Sequence, residues 1–427
     1  METNALHSKF LSCASVATDT RKIEKNVLFF ALKGATFDGN TFAAEALKFG
    51  ASYVVIDNPA YYVDERTIVV SDTLVSLQEL ATFHRKYLNI RIIGLTGSNG
   101  KTTTKELFQA ILSKKFNSKA TVGNLNNHIG VPLTLLSFTE ETEIGIVEMG
   151  ANHQKEIELL CSIAQPDYGY ITNFGKAHLE GFGGVEGVIA GKSEMYDFLK
   201  ISKKAAFVNL DDPIQEAKTK NIERISFSQN QTDAFLYIKG ISANPFVSIV
   251  LDDLVIQSNL IGLYNATNII AAIAVGKYFG VPIQDCKAAI AAYFPDNNRS
   301  QIVFKHSNEI ILDAYNANPS SMDAALTNFI QLDKLNKVII LGDMFELGNE
   351  SISEHQKIVD LLKDVAAMEC YLIGKDFFKS KIDSSHLHFY ETFDDFSNVI
   401  KQKSIKESMI LIKGSRGMAL ERTLDFL

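Results

Sequence analysis

Little in this chain commits it to a membrane, an oxidising compartment or a nucleic acid. Its four cysteines, Cys13, Cys161, Cys286 and Cys370, are scattered with no C-x-x-C pair, so neither a zinc site nor a disulfide framework is indicated. No apolar run approaches the roughly 18 residues a membrane helix needs, and the opening METNALHSKF has no apolar core of signal-peptide length. Positive charge is scarce as well. A formal net charge of −8 argues against a generic nucleic-acid binder and leaves any anionic ligand to a local basic or backbone-amide site. There is no internal repeat and no low-complexity tract. The expectation is a cytoplasmic protein with no stable membrane insertion.

What is present is ordinary globular material: 427 residues, 46% hydrophobic and 22% charged. At roughly 150 residues per domain, this length suggests about three domains. Up to residue 87, VLFFAL and SYVVID read as buried strands flanking the helix TFAAEALKFG, which Gly50 closes. From 88 to 298 the pattern is strand, glycine-rich turn and helix, repeated. RIIGLT, IGIVEM, YGYITN and AAFVNL are short apolar strands of the kind found in a parallel sheet covered on both faces. A long helix, Ala266 to Phe279, ends at Gly280. From 299 to 427, EIILDAY, KVIILGD, CYLIG and MILIKG again alternate with helical patterns. The expected class is therefore α/β in three domains. A small N-terminal α/β unit precedes a central doubly wound, mostly parallel sheet and a C-terminal Rossmann-like unit.

The stretch LTGSNGKTTTKE (Leu95 to Glu106) looks like a phosphate-binding loop, yet G-x-x-x-x-G-K-[ST] would need glycine where this chain has Leu95. Its context still suits phosphate. A strand, a glycine turn (Gly97, Ser98, Asn99, Gly100) and a helix start (Lys101, Thr102, Thr103) present unpaired N–H groups and the positive end of a helix dipole. Lys101 can reach terminal phosphates, and the Thr102 hydroxyl can ligate Mg²⁺. The plainer alternative is a tight turn with a solvated lysine. A second glycine cluster, GFGGVEG (Gly181 to Gly187), lacks G-x-G-x-x-G spacing and reads as a loop.

Glu148 and His178 each follow a strand at the carboxyl edge, where open α/β sheets bind ligands. Together they could hold a divalent ion; separately each could be a polar loop residue. Lys192 falls on the apolar stripe of VEGVIAGKSEMYDFL with Val188, Ile189, Met195, Tyr196 and Leu199. A lysine there must snorkel, pair with an acid or lose its charge. A neutral one is a nucleophile for CO₂, and its carbamate could serve a metal site.

TGSNGKTTTKE, TVGNLNNHIGVPLTLL, VEMGAN, NFGKAHLEGFGG, GKSEM, GLYNATNIIAA, LDAYNANPSSM, LGDMFELG and KGSRGM lie in order along nearly the whole chain. Together they resemble the Mur ligases, ATP-dependent amide ligases of bacterial cell-wall (peptidoglycan) synthesis. The phosphate loop of that family is the short form T-G-x-x-G-K-T, which Gly97 and Gly100 fit. Within the family, KTTTKE, GNLNNHIG, DAYNANPSSM and GDMFELG resemble the branch that joins D-alanyl-D-alanine to UDP-N-acetylmuramoyl-tripeptide. The D-N-P-R motif of the preceding ligase is absent.

The resemblance implies ATP and two Mg²⁺ ions as cofactors and a monomeric state. Lys101 would contact phosphates, Thr102 and Glu148 one Mg²⁺, and His178 the second; Lys192 would be carbamylated. Asn268, Arg299, Asp313 and Asn316, with Tyr315 nearby, map onto nucleotide contacts. Residues 1–87 would bind the UDP-sugar through Asp19, Arg21, Gly34 and Asp38, with Asn127 also toward this substrate. The family's S-D-S-R stands here as Thr18-Asp19-Thr20-Arg21, a mild departure. Residues 88–298 would bind ATP. Residues 299–427 would meet the amine substrate, through Asp343, Glu346, Lys413, Ser415 and Arg416, the last three on a strand that opens into a helix. Two other classes remain open from sequence: a related ligase of the folylpolyglutamate type with another carboxylate acceptor, and a non-ligase ATPase.

Overall fold

The apolar runs become strands of three separate sheets in a computed structural model, which describes residues 2–403 and 405–427. The first sheet is parallel and runs in chain order: Ser15–Ala17, Val27–Phe30, Tyr53–Ile56 and Thr67–Val69. The central sheet has seven parallel strands. Their spatial order is Leu236–Tyr237, Glu223–Ser228, Ala205–Asn209, Tyr168–Ile171, Arg91–Thr96, Ile144–Glu148 and Ser118–Ala120. The third has six: Gln301–Lys305, Asn308–Asp313, Met409–Lys413, Lys337–Gly342, Glu369–Ile373 and Leu387–Tyr390. Only its first pair is antiparallel.

The central sheet divides its side chains by strand alternation. Ile93 and Leu95 join Leu107 and Phe108 of the helix Lys101–Leu112, and Ile269 and Ile273 of the helix Ala266–Tyr278, in one core. Ile92 and Val147 face the opposite core, with Leu160 of the helix Glu156–Ala164 and Met195 of the helix Val185–Ile201. Burial on both faces is what the unbroken apolar strands predict.

Residues 240–261 were not given a fold by the sequence pattern. They form a three-stranded antiparallel sheet, Gly240–Ala243, Phe246–Leu251 and Leu254–Ile261, beside the helix Ala266–Tyr278. Its tight turn at Asp252 and Asp253, with Asp252 at φ 45°, is the signal that could have been read. The GFGGVEG cluster is also more than a loop. It joins the short helix Leu179–Phe182 to Val185–Ile201, with Gly183 and Gly184 in between and Gly187 inside the second helix. Among the described residues no helix is long and apolar enough to cross a membrane.

The helix Thr73–Leu88 couples the first sheet to the central unit. Arg85 donates to Ala164 O and Gln165 O and to Asp167 Oδ2 at 2.7 Å. Asp167 also accepts from Ile92 N and Lys204 Nζ. Nearby, His84 Nε2 lies 3.0 Å from Phe138 O, and His84 Nδ1 lies 3.0 Å from His7 Nε2 on the helix Thr3–Leu11. The carbonyl can only accept, so His84 donates from Nε2 and accepts at Nδ1, and His7 donates. Burial lowers both imidazoles below the ordinary value of 6.5, and acceptance at His84 Nδ1 needs a neutral His84 ring.

Two outcomes follow. Asp167→Ala strands a buried guanidinium and should cost about 3 kcal/mol or more, whereas Arg85→Leu leaves Asp167 paired with Lys204 and should cost less; denaturant titration of the two variants compares them. For the histidines, both states are neutral above 6.5, and below it the unfolded chain binds protons that the folded chain refuses. The melting temperature should therefore fall as pH drops below 6.5, and His84→Gln should flatten that slope.

Candidate active site

The phosphate loop is built where glycine alone fits. Gly97 has φ 138° and Gly100 φ 80°; a Cβ on the first would lie 2.0 Å from Thr172 Oγ1, and on the second 2.6 Å from Asn268 Oδ1. The residues just past the neighbouring strand Tyr168–Ile171 hold the loop from behind. Asn173 O accepts from Ser98 N, Asn173 Oδ1 accepts from Asn99 N, and Thr172 Oγ1 and Asn173 Nδ2 both donate to Asn99 O. The helix Lys101–Leu112 starts immediately after, with Gly100 as an N-cap that has no side chain to satisfy the first amides. Leu95, the misfit in the longer motif, is a fully buried strand residue in register with Glu148. Lys101 folds back, donating to Gly97 O at 2.7 Å and Ser98 O at 3.2 Å. Burial, opposed by Glu148, lowers its pKa to about 8.

Glu148 is 2% exposed. Its Oε1 accepts from Asn126 Nδ2 at 2.8 Å and Thr102 Oγ1 at 3.4 Å. Its Oε2 has no hydrogen-bond partner among the described residues, the nearest cation being Lys105 Nζ at 3.6 Å. A buried carboxylate oxygen left open beside a threonine hydroxyl is a hard donor set that fits Mg²⁺. His178 does not join it here: its Nδ1 pairs with Glu346 of the C-terminal unit, and this pairing lowers the Glu346 carboxyl. Among the described residues no group of three His, Cys, Asp or Glu side chains could hold a metal ion.

Lys192 is 1% exposed and neither snorkels nor pairs with an acid. Its Nζ donates to Ala151 O at 3.1 Å and lies 5.0 Å from the centre of the Phe182 ring. Burial first, and then Lys101, lower its pKa well below that of an ordinary lysine. Of the three fates the sequence leaves open, burial without an acid partner among the described residues favours loss of charge. The adjacent Glu194 caps the helix Glu156–Ala164, accepting from Lys155 N and Glu158 N.

The C-terminal unit roofs the loop. Asn318 caps the helix Pro319–Gln331, and its Nδ2 donates to Asn99 Oδ1 at 2.7 Å. Lys176 donates from N to Ser320 Oγ and from Nζ to Glu354 Oε1, both at 2.8 Å. Between the two units lies a cleft of about 860 Å³. It brings together Ser98 to Thr103, Glu148, His178, Asn268, Arg299, Asp313, Asn316 and Lys413, and Asn127 reaches its edge. Asn127 itself caps Ile129 N and Gly130 N. Asn268 Oδ1 accepts from Thr104 Oγ1 directly behind the loop. The Arg299 guanidinium stacks 3.6 Å from the centre of the Tyr315 ring, and Lys413 Nζ pairs with Asp313 Oδ2 at 2.6 Å.

Other expected residues lie elsewhere. Asp19 and Arg21 form a bidentate surface pair, with Arg21 87% exposed. Gly34 and Asp38 shape a turn of the first unit, Asp38 accepting from Asn40 N and Nδ2. None of these four lines the cleft. Asp343 is buried outside it; both oxygens cap the helix Lys375–Lys379 through Asp376 N and Phe377 N. Ser415 is buried and accepts from Phe345 N, while Arg416 is exposed and pairs with Glu421. The helix expected after Lys413 is two 3₁₀ segments, Arg416–Met418 and Leu420–Phe426, so no α-helical N-terminus forms there. Asn126, Lys176 and Asn318 were missed individually, although each lies inside a motif quoted above.

The family models agree along the chain. The Mur ligase family catalytic domain matches residues 13–85, the Mur ligase middle domain 95–276, and the Mur ligase glutamate ligase domain 298–416. The UDP-N-acetylmuramoyl-tripeptide–D-alanyl-D-alanine ligase of Bacillus subtilis (strain 168) is 35% identical, over 96% of this chain and 92% of its own. That of Escherichia coli (strain K12) is 32% identical over 97% and 93%. Among solved structures, MurF from Acinetobacter baumannii superimposes with a TM-score of 0.86 at 29% identity, covering 99% of this chain and 97% of its own. MurF ligase from Thermotoga maritima in complex with ADP gives 0.83 at 26% identity, over 98% and 97%. With three consecutive family matches and full-length relatives, the chain belongs to the Mur ligase family.

Proposed function

We propose that the protein joins D-alanyl-D-alanine to UDP-N-acetylmuramoyl-tripeptide at the expense of ATP, the last step in building the UDP-muramoyl-pentapeptide precursor of peptidoglycan. The single observation that carries this reading is the cleft itself. A phosphate loop and an open carboxylate face a second unit with its own cations, Arg299 and Lys413. An ATPase without an acceptor would not need that roof.

A carboxylate does not react with an amine at neutral pH, because oxide is a poor leaving group. The tripeptide carboxylate attacks the γ-phosphorus of ATP, the bond to ADP breaks, and an acyl phosphate results. The amine of the dipeptide attacks the acyl carbon, and phosphate leaves. Lys101 and the amides of residues 98–102 hold the transferring group and spread its charge. Lys101 needs little reorganisation: its ammonium already lies on the loop, and an anionic phosphate restores the charge that burial disfavours. Thr102 and Glu148 would hold one Mg²⁺, which when bound screens the repulsion between two anions. His178 would serve a second Mg²⁺ after releasing Glu346.

Residues 1–87 would bind the UDP-sugar through Asp19, Arg21, Gly34 and Asp38. Residues 88–298 would bind ATP, with Asn268, Arg299, Asp313 and Asn316 on the nucleotide. Residues 299–427 would receive the dipeptide near Glu346, Lys413, Ser415 and Arg416. The buried cap made by Asp343 supports a scaffolding role for it. Lys192, shielded by burial that favours its neutral amine, would take up CO₂: the amine forms the N–C bond, releases a proton to water and becomes a carbamate anion. A monomer in the cytoplasm completes the reading.

Phosphate release from ATP, measured with and without both substrates, tests it; release that ignores them favours a plain ATPase. Lys101→Ala should lower ligation about a thousandfold, with circular dichroism and melting unchanged. Lys192→Ala should be inactive and regain part of its rate with acetate. Native mass spectrometry of the wild type in bicarbonate should show one added CO₂, lost in the variant.

A further inference from the structure

The run of threonines in the phosphate-loop helix ends in Lys105-Glu106, and the chemistry above leaves Glu106 without a task. The structure gives it two partners far along the chain. Glu106 Oε2 accepts from the Tyr293 hydroxyl at 2.5 Å, and Oε1 accepts from Asn297 Nδ2 at 3.0 Å. Both partners lie where the chain leaves the central unit. The helix Ile283–Ala292 ends one residue before Tyr293, and the first strand of the C-terminal sheet begins at Gln301. The crossing is 293–300.

That segment is bent. Asn298 and Ser300 have φ of 57° and 50°, left-handed values for residues with side chains. Its far end is fixed to the C-terminal unit: Asp313 Oδ1 accepts from Ser300 N, and Asn298 O accepts from Tyr315 N. Its near end is held by Asn259, which donates to Ala291 O and Tyr293 O, and by Glu106. Arg299 sits between the two ends, stacked on Tyr315. Its Nε is buried with no partner among the described residues, as is Asn297 Oδ1, and Arg299 itself lines the cleft, so the crossing carries unsatisfied polar atoms beside the site.

We propose that Glu106 is a positioning residue for nucleotide. It ties the crossing segment to the helix whose first turn forms the phosphate loop, and so fixes Arg299 relative to Lys101. A carboxylate accepts at both oxygens and donates at neither, which suits a hydroxyl and an amide arriving from different residues. Burial and the neighbouring Glu106 raise the Tyr293 pKa, which keeps the hydroxyl a donor. Because helix and loop are one rigid element, a displacement at Glu106 becomes a displacement of Arg299 across the cleft.

The proposal rests on the ligase reading, and the test separates the two. Steady-state ligation by the full chain would be measured with ATP varied and both other substrates saturating. The variants are Glu106→Ala, Glu106→Gln, Tyr293→Phe and the Glu106→Ala/Tyr293→Phe double variant. Each is also melted and titrated with a non-hydrolysable ATP analogue. Glu106→Ala should lower kcat/KM for ATP by about ten- to a hundredfold, chiefly through KM, and weaken the analogue in parallel. Glu106→Gln should recover part of the loss, since its one carbonyl oxygen keeps one partner. Tyr293→Phe should have an intermediate effect alone and none on top of Glu106→Ala.

A lowered melting temperature with KM and analogue affinity unchanged would make Glu106 a structural staple and overturn the proposal; additive losses would do the same. Should Glu106→Ala fail to fold, Tyr293→Phe and Asn297→Ala carry the same comparison, and unchanged KM in both overturns it. If the wild type ligates nothing, the ligase reading has failed. The analogue titration still decides the role of Glu106.

Discussion

The unpaired amides at the start of the helix Lys101–Leu112 are the constraint on which the site depends. Helix geometry leaves four N–H groups open, and Gly100 supplies no side chain to close them. They can stay open only because the loop before them is fixed by something else, namely Thr172 and Asn173, just past the neighbouring strand Tyr168–Ile171. Gly97 lets Thr172 come close enough to do so, and Gly100 does the same for Asn268. The sheet order follows the same need, since Tyr168–Ile171 and Ile144–Glu148 flank Arg91–Thr96 and carry their loops to the same edge.

Around this opening the protein accumulates groups whose requirements it does not meet by itself. Burial lowers the pKa of Lys101 and of Lys192, and Glu148 keeps an oxygen in reserve. Each would be a defect in a purely structural core. Together, with cations on one side and a carboxylate on the other, they describe the complement of a polyanion accompanied by a hard cation. An acidic protein can bind such a ligand because the relevant field is local and set by burial rather than by net charge.

Much of this was legible in the residues. The parallel strands declared themselves by unbroken apolar runs, and the loop by its glycines and helix start. Lys192 was found by periodicity alone, because a charged residue on an apolar stripe contradicts its neighbours. What escaped depends on distance along the chain. The clamp between Asn99 and Asn318 joins residues more than half the chain apart, and no local pattern records such a meeting. Asp343 shows the opposite case: an acid in a glycine-flanked motif reads as a ligand-binding group, and the fold also gives it a buried cap to make. The three-stranded antiparallel sheet of residues 240–261 was hidden because its strands lie between stronger signals.

The contact between Asn318 and Asn99 has a further consequence. Asn99 belongs to the phosphate loop, and Asn318 is the first turn's cap on a helix of the other unit. The two units therefore meet on the very residues that would surround a nucleotide. Thermodynamic linkage is reciprocal. If an occupied loop favours the docked arrangement, docking must raise affinity for the occupant by the same factor. The roof is then a second ligand of the loop.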